Sequence, residues 1–280
     1  MPQIRAPVRA GSFYPAHSRE LEQTVRRYLD QVEPIELSGD LLGLICPHAG
    51  YVYSGQTAAH SYALVRDALA QDHTFDLVVL ISPTHFAAAG RYLVTESHAY
   101  LTPLGTVELD RDAVEALDRE LGLRRIGFDG EHAIEVQLPF LQATLGTFTL
   151  LPVMVGDSAL SAGRELGHAL SSILADRKTL IVASSDMHHI DDYQQVTRRD
   201  KTVIDAIASM DMARVQQAFS PRDCSVCGRV PIYAMLTAAL DAGANRAQIL
   251  HYTNSGDVTG IRTPGQYTVG YLSAAVLREP

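Results

Sequence analysis

Short runs of apolar, β-branched residues alternate along the chain with stretches in which apolar residues recur every three or four positions. The first pattern is typical of buried strands, and the second is typical of helices that cover a sheet. Their alternation predicts an α/β fold, in which helices cover both faces of a mainly parallel or mixed central sheet. The predicted strands are Leu41–Cys46, Leu77–Ser82, Tyr92–Thr95, Thr149–Val155, Thr179–Ala183, Gln248–Tyr252 and Tyr267–Ala275.

Helices are predicted where the apolar residues follow the period of an α-helix. Ser54 is placed as the N-cap of the second helix, and Gly122 ends the third. Pro139 lies inside the fourth, where it should remove one backbone hydrogen bond and bend the helix. The predicted helices are Arg19–Val32, Gly55–Leu69, Arg111–Leu121, Glu131–Leu145, Ser161–Ala175, Asp191–Phe219 and Val230–Ala242.

Composition and charge exclude several classes of protein. The 280 residues are 46% hydrophobic and contain no repeat or long linker, so we expect a single domain over residues 1–280. A formal net charge of −9 with scattered basic residues argues against a nucleic-acid partner. Met1–Pro15 lacks a secretory signal, and no apolar run approaches the roughly 20 residues that cross a bilayer. We expect a cytoplasmic protein with no membrane partner, in which Cys46, Cys224 and Cys227 are reduced thiols.

Histidines follow three of the predicted strands at the point where each strand ends. His48 follows the first strand, His85 the second, and Asp186, His188 and His189 the fifth. Ligands of open α/β sheets bind beyond the carboxyl ends of the strands, so this placement predicts one shared pocket. A single histidine after a strand is more often a hydrogen-bonded structural residue, but three repeats of the same placement favour a functional site.

The residue types in this position indicate a transition metal. Neutral imidazole is a frequent ligand of zinc, copper and iron, and a thiolate favours these ions over magnesium or calcium. Cys227 lies just before a predicted helix, whose dipole should lower the pKa of its thiol, so it can join the histidines as a thiolate. Cys224 completes a C-x-x-C spacing with Cys227, and a redox pair and simple packing remain alternatives for it.

Two further positions carry polar side chains suited to proton transfer. His132 lies in the first turn of the predicted fourth helix, where the helix dipole favours the neutral imidazole. Alternatively, Glu131 caps this helix and His132 is exposed. Asp186 and His189 have a spacing at which the carboxylate can orient the imidazole, as a proton-transfer couple needs. Alternatively, Asp186 caps the following helix. The segment Arg9–Pro15 is predicted to pack against the protein.

Six short motifs stand between residue 9 and about residue 275, which is almost the whole chain. They are RAGSFYP at Arg9–Pro15, PHAGYVYSG at Pro47–Gly55, SPTH at Ser82–His85, EHAIEVQLPFL at Glu131–Leu141, SSD with His189, and CGRVPI at Cys227–Ile232. Together and in this order they resemble the Memo family, also described as the B component of the AmmeMemoRadiSam system.

The resemblance implies both a fold and a ligand set. Memo proteins are similar to class III extradiol (LigB-type) dioxygenases, which cleave catechol rings with non-haem Fe(II). A LigB-like three-layer α/β/α sandwich is therefore implied. By motif, His48, His85 and Cys227 are implied to bind one metal ion, which would be Fe(II) or copper, with zinc also possible. Cys227 stands where the dioxygenases use a carboxylate.

The resemblance also implies that His132, Asp186 and His189 line the same pocket in acid–base or substrate positions. This chain departs from the family pattern at two places. Phe86 follows His85 where a second histidine is common in the family. A supporting role of that second histidine in the site is therefore not expected in this chain. Ile190-Asp191 follows His189 in place of the usual aromatic residue and glycine. The pocket therefore need not have the shape that it has in other members of the family.

Three functions are compatible with these residues. The first is an iron- or copper-dependent oxidoreductase of unknown substrate, in which Asp186 and His189 handle protons. Since the thiolate of Cys227 is softer than a carboxylate and easily oxidised, the resemblance supports the fold and the pocket more strongly than ring cleavage. The second is a non-catalytic component that binds a small molecule or peptide beside radical-SAM and AMMECR-type protein partners. The third is a metal-dependent hydrolase.

Overall fold

The computed structural model describes residues 3–86 and 90–280, so residues 1–2 and 87–89 of the expected domain 1–280 lie outside the described residues. The described residues form twelve strands and nine α-helices. The strands are β1 Ile4–Arg5, β2 Asp40–Cys46, β3 Leu77–Pro83, β4 Tyr92–Thr95, β5 Ala99–Thr102, β6 Gly105–Glu108, β7 Arg124–Ile126, β8 Thr149–Val155, β9 Thr179–Ser184, β10 His189–Ile190, β11 Arg246–Asn254 and β12 Thr268–Arg278.

Four of the seven predicted helices are present with bounds within two residues of the prediction, and each predicted strand is present. A 3-10 turn, Glu135–Gln137, precedes the fourth helix. The helices are α1 Ser18–Asp30, α2 Tyr51–Ala70, α3 Arg111–Leu121, α4 Leu138–Leu145, α5 Leu160–Leu174, α6 Tyr193–Ala208, α7 Met212–Phe219, α8 Arg229–Asp241 and α9 Ser255–Thr259. Among the described residues, no helix is long and apolar enough to span a bilayer.

A mixed sheet of nine strands forms the centre of the fold. Its order is β10-β12-β2-β9-β3-β8-β4-β7, and β11 pairs with β12. The neighbours β2, β9, β3 and β8 run parallel to one another, whereas β12 pairs with β2 and β4 with β8 in antiparallel fashion. The carboxyl ends of the central strands therefore lie at one edge of the sheet. A separate small sheet has the order β1-β5-β6.

Helices cover both faces of this sheet, which confirms the predicted three-layer α/β sandwich. Successive strand residues face opposite sides. Leu44 and Leu80 therefore pack with α1, α2 and α4 on one face, while Ile45 and Ile81 pack with α3, α5 and α8 on the other. Each of these fully buried side chains contributes roughly 1.5–3 kcal/mol to folding.

Close contact between α5 and α8 sets the position of α8 against the sheet. A Cβ atom on Gly167 of α5 would lie only 2.5 Å from Cβ of Thr237 and 2.6 Å from the carbonyl oxygen of Ala234. Because glycine has no side chain, the two helix backbones approach closely. The N-terminal end of α8, which directly follows Cys227, is fixed in this way.

The prediction that Ser54 caps the second helix is wrong. The helix begins four residues earlier than predicted, at Tyr51, with Gly50 as its N-cap. Ser54 lies inside the helix, where its hydroxyl donates to the carbonyl oxygen of Ala49 at 2.9 Å. The backbone N–H of Tyr51 donates instead to the carbonyl oxygen of Phe13 at 2.8 Å, so the N-terminal segment provides the partner that a local cap would have supplied.

The predicted helix Glu131–Leu145 is also shorter than expected, and Pro139 does not lie in its interior. The α-helix starts only at Leu138, which places Pro139 in its first turn. A proline there removes no intrahelical hydrogen bond, because the first N–H groups of a helix have no intrahelical partner. The predicted helix Asp191–Phe219 is divided into α6 and α7 at Met210, which has a positive φ of 54°.

Candidate metal centre

The three strand ends that carry histidines meet at one edge of the sheet. His48 follows β2 and His85 follows β3, and β9 lies between these two strands. The ring centroids of His48 and His85 are 5.0 Å apart, and that of His132 is 5.5 Å from His48 and 4.5 Å from His85. The imidazoles of the strand-end residues His48 and His85 thus form one cluster with His132, which comes from the turn before α4.

The imidazole of His48 is held in a single orientation by Ser184, the last residue of β9. The Ser184 hydroxyl donates to the carbonyl oxygen of Ala133 at 2.7 Å. Its only proton is used there, so it must accept the hydrogen bond from Nδ1 of His48 at 2.9 Å. Nδ1 therefore carries the proton, and the lone pair of Nε2 faces the pocket. Burial, followed by the nearby imidazole of His85, lowers the pKa of His48 well below its usual value, which keeps the ring neutral.

His85 is oriented by Glu131, a buried residue that lies 46 positions later in the chain. Oε1 of Glu131 accepts from Nδ1 of His85 at 2.9 Å, and Oε2 accepts from its backbone N–H at 2.6 Å. Burial alone would raise the pKa of Glu131, but its hydrogen bonds to His85 and Ala133 and the nearby imidazole of His85 hold it at about 2. A carboxylate bonded to Nδ1 leaves Nε2 of the imidazole available for a metal ion.

Glu131 also caps the turn that follows it, as one sequence-based alternative proposed. Its Oε1 accepts from the backbone N–H groups of His132 and Ala133, each at 2.8 Å. His132 is nevertheless not exposed, because its ring packs edge-on against Phe13 with centroids 5.0 Å apart. Burial, with His48 as the next cause, lowers the pKa of His132 to about 4, so this imidazole is neutral at pH 7.

Cys227 completes the cluster from the loop before α8. Its Sγ lies 3.3 Å from Nε2 of His48 and accepts the backbone N–H of Asp186 at 3.2 Å. A Cβ atom on Gly228 would approach Cβ of Ser185 to 2.4 Å, so only glycine allows the loop to pack this closely on the end of β9. The expected lowering of the thiol pKa by the helix end is wrong, since burial and then the charge of Asp186 raise it.

Asp186 and His189 do not form the expected hydrogen-bonded couple in the described part of the chain. Oδ1 of Asp186 accepts the backbone N–H of His48 at 2.8 Å, so this carboxylate anchors the turn that carries the imidazole. Nδ1 of His189 instead bonds to the hydroxyl of Tyr267 at 3.0 Å. Nε2 of His189 is buried and has no hydrogen-bond partner among the described residues.

The remaining chemistry-bearing residues lie outside this cluster. His188 points to the opposite side, where its Nδ1 bonds to Asp200 at 2.8 Å. Cys46 is fully buried in the core, and burial raises its pKa to about 12. Phe86 packs against the apolar core on the face of α1 and α2. Ile190 pairs with Thr268 in the sheet.

The donor atoms of His48, His85 and Cys227 lie within 4.8 Å of one another. Ligands of a tetrahedral ion are about 3.4–3.8 Å apart for metal–ligand bonds of about 2.1–2.3 Å, so small rearrangements suffice to bind one ion. A second group, formed by His85, Glu131 and His132, is equally compact. The carboxylate of Glu131 already accepts from four N–H donors, however, and we assign it to the support of His85.

Sequence reasoning missed two supporting residues of this site. Glu131 was considered only as a cap, and Ser184 was not connected with His48. Both stand inside motifs that were recognised, Glu131 at the start of EHAIEVQ and Ser184 at the start of SSD. The available signal was a polar side chain at a buried position. Ser184 stands at the end of an apolar strand and Glu131 at the start of a buried turn, and buried polar groups need hydrogen-bond partners.

Known proteins with similar sequences match almost the whole chain. Residues 5–275 match the sequence model of a family described as Memo-like protein. A MEMO1 family protein of Methanosarcina acetivorans is 36% identical over 278 residues, which covers 98% of this chain and 99% of the relative. A MEMO1 family protein of Nitrosopumilus maritimus is 31% identical over 265 residues, covering 92% and 94% of the two chains.

A solved structure is similar in fold. The crystal structure of an uncharacterised protein from Escherichia coli K12 superposes with a TM-score of 0.52 and covers 82% of this chain and 99% of its own. The two sequences are only 14% identical, so the similarity concerns the fold alone.

Proposed function

The chain belongs to the family of Memo-like proteins, and we propose that it is an oxidoreductase that uses a single iron or copper ion bound by His48, His85 and Cys227. The observation that carries the proposal is the compact donor set of two imidazoles and one thiol, whose atoms lie within 4.8 Å of one another. Imidazole and thiolate together suit copper, zinc and iron, whereas magnesium and calcium prefer oxygen ligands.

The hydrogen bonds behind the two imidazoles support this proposal. In both His48 and His85, Nδ1 forms a hydrogen bond to a protein oxygen. Nε2 is therefore the ring nitrogen that can bind a metal ion. Histidine ligands of metal ions commonly show this arrangement, because the outer hydrogen bond fixes the tautomer and raises the basicity of the ring. These hydrogen bonds would reduce the cost of orienting both rings toward a metal ion.

The choice of an oxidoreductase follows from the soft donor set and from the neutral imidazoles beside it. A bound iron or copper ion would supply one-electron and dioxygen chemistry, which the side chains of the pocket lack. His132 is neutral at pH 7, and His189 presents an unpartnered Nε2. Each can accept a proton from a substrate hydroxyl or return one to it, as general acid–base catalysis requires.

A cavity beside the pocket favours a second candidate function, ligand binding without turnover. It measures about 380 Å³ and is lined in part by Tyr53, Tyr267 and Tyr271. The hydroxyl of Tyr267 bonds to His189, so a residue of the cavity wall contacts this histidine. In this role the protein would hold a small molecule or peptide in the cytoplasm, beside radical-SAM and AMMECR-type partners.

Metal analysis followed by dioxygen-uptake measurements tests both candidates. Protein purified without chelator should contain about one equivalent of iron or copper, and His48→Ala, His85→Ala and Cys227→Ala should each lose most of it while remaining folded. Cys224→Ser is the matched control, since Cys224 lies three residues before Cys227 on the same loop and outside the donor set. It should keep full occupancy.

The outcomes separate the possibilities. Full metal content in all three alanine variants would place the site elsewhere, and equal losses in Cys224→Ser and Cys227→Ser would favour a site built on both cysteines. Metal at full occupancy without dioxygen uptake or any redox turnover over a panel of phenols and thiols would refute the oxidoreductase. That result would favour ligand binding without redox turnover over the oxidoreductase.

A further inference from the structure

The guanidinium of Arg9 has no protein partner in the part of the chain that the structure describes. Its Nε is buried and has no hydrogen-bond partner among those residues. Glu135 accepts the backbone N–H of Arg9 at 2.8 Å, but its ion pair is formed with Arg5. Buried polar groups of native proteins nearly always have a partner, so an unpaired guanidinium next to a pocket indicates a group that bonds to a ligand.

Two aromatic contacts place this guanidinium beside the imidazoles of the candidate metal centre. Cζ of Arg9 lies over the ring of Phe13, 5.1 Å from its centroid. The ring of Phe13 packs edge-on against His132, with centroids 5.0 Å apart. The ring of His132 lies 4.5 Å from that of His85 by the same measure. Phe13 therefore connects the positive charge of Arg9 with the imidazole cluster through direct contacts.

Main-chain hydrogen bonds hold this part of the N-terminal segment against the pocket. The carbonyl oxygen of Arg9 accepts from the backbone N–H of Phe13 at 2.9 Å, which closes a turn. The carbonyl oxygen of Phe13 accepts from the backbone N–H of Tyr51 at 2.8 Å, three residues after His48. These bonds fix the position of Arg9 through its main chain, and they leave the N–H donors of its side chain available to a ligand.

The charge and the shape of a guanidinium select the chemical class of that ligand. A guanidinium that lies over an aromatic ring can keep its N–H donors at its edge, where two of them bond in parallel to the two oxygens of a carboxylate. Arg9 supplies one positive charge, which balances one carboxylate. A phosphate monoester carries about −1.5 to −2 at pH 7 and would be balanced only in part.

We propose that Arg9 is a specificity-determining residue of the pocket, and that the pocket takes small molecules with a carboxylate, which Arg9 binds beside the imidazole cluster. The inference rests on the proposed function in one respect, namely that this cluster is the place where a substrate or ligand binds. It depends neither on redox turnover nor on the identity of the metal ion.

Binding of benzoate, compared with benzamide, tests the proposal on the full chain. The two probes have nearly the same shape, but only benzoate is charged at pH 7. Thermal unfolding at constant ionic strength gives both Kd values, because a ligand of the folded state raises Tm with its concentration. The wild type should bind benzoate at least about tenfold more tightly than benzamide, as expected for a charge-assisted hydrogen bond. Arg9→Gln should remove this preference and leave benzamide binding unchanged.

Arg27→Gln is the matched control variant. Arg27 also lies over an aromatic ring, with Cζ 5.6 Å from the centroid of Tyr28, but it is exposed on α1. The substitution removes the same charge and should change neither Kd. Equal binding of the two probes by the wild type, or equal losses of benzoate binding in Arg9→Gln and Arg27→Gln, would overturn the proposal. Tighter binding of phenyl phosphate than of benzoate would overturn the assignment of a carboxylate.

The wild-type comparison needs no variant, so it decides the question even if Arg9→Gln fails to fold. Metal analysis of the same samples separates this proposal from the proposed function. Arg9 lies outside the donor set, so Arg9→Gln should keep the metal content of the wild type. Protein without iron or copper would refute the oxidoreductase, while a benzoate preference that depends on Arg9 would still support the role of Arg9. Full metal content without that preference would refute the role of Arg9 alone.

Discussion

Glu135 ties the N-terminal segment to the candidate metal centre, and we expect Glu135→Gln to destabilise the protein strongly. The side chain is fully buried in the turn that follows His132. Its carboxylate accepts the backbone N–H groups of Val8 and Arg9, each at 2.8 Å, and the hydroxyl of Tyr14 at 2.5 Å. The guanidinium of Arg5 forms an ion pair with it. These bonds explain why the segment Arg9–Pro15 packs against the protein.

The size of the loss in unfolding free energy follows from the number of hydrogen-bond donors that a glutamine at position 135 would leave without an acceptor. The side-chain amide of glutamine has only one oxygen that accepts hydrogen bonds. Its NH₂ group cannot accept any, yet it would face the N–H and O–H groups that now donate to the second carboxylate oxygen. Each buried donor without a partner costs about 1–3 kcal/mol, and at least two are affected. Among the described carboxylates, Arg5 would keep its ion pair with Asp129, at 3.5 Å, and it would also keep its hydrogen bonds to the carbonyl oxygens of Ala6 and Glu131. The expected loss is about 3–5 kcal/mol, as for other broken buried ion pairs.

Equilibrium unfolding in urea at pH 7 measures this loss directly. Glu115→Gln is the matched control, because Glu115 pairs with Arg125 at the surface, with 62% of its side chain exposed. Breaking such a pair should cost less than about 1 kcal/mol. A Glu135→Gln loss within about 1 kcal/mol of the control would contradict the assignment of Glu135 as the anchor of the N-terminal segment.

Three further predictions concern the site and its surroundings. Glu131→Gln should lower metal affinity about 10- to 100-fold in competitive titrations, because the amide supports His85 poorly, and unchanged affinity would contradict this. His189→Ala should keep its metal content but lose turnover or ligand binding, since the ring is held by Tyr267 outside the donor set, and loss of metal would make it a ligand. Burial lowers the pKa of His188, but its hydrogen bond to Asp200 raises it from 6.5 to about 9 in the folded protein. The protonated imidazole therefore stabilises the folded state fully below pH 6.5, and this contribution is lost as the pH rises through 9. The difference in unfolding free energy between wild type and His188→Gln should shrink across that range, and a constant difference would refute the shift.

Local patterns were sufficient to predict the layers of this fold and that His48 and His85 lie at the same edge of its sheet. Short continuous runs of apolar, β-branched residues and a helical period elsewhere identify strands and covering helices without any tertiary information. His48 and His85 were predictable as neighbours for the same reason, because parallel strands bring their carboxyl ends to one edge. Short edge elements such as β1 and β10 carry too few residues for a period to be visible.

Only the tertiary structure decided which side chains support the site. Asp186 lies three residues before His189, yet it bonds to the backbone of His48, while Glu131 reaches His85 across 46 residues. These partners depend on the register of the strands and on the paths of the loops, which bring distant residues within hydrogen-bonding distance. The raised pKa of Cys227 has the same origin, since burial outweighs the local effect of the helix end. Sequence determines which groups are present, whereas packing determines how far each is removed from water and which partner it meets.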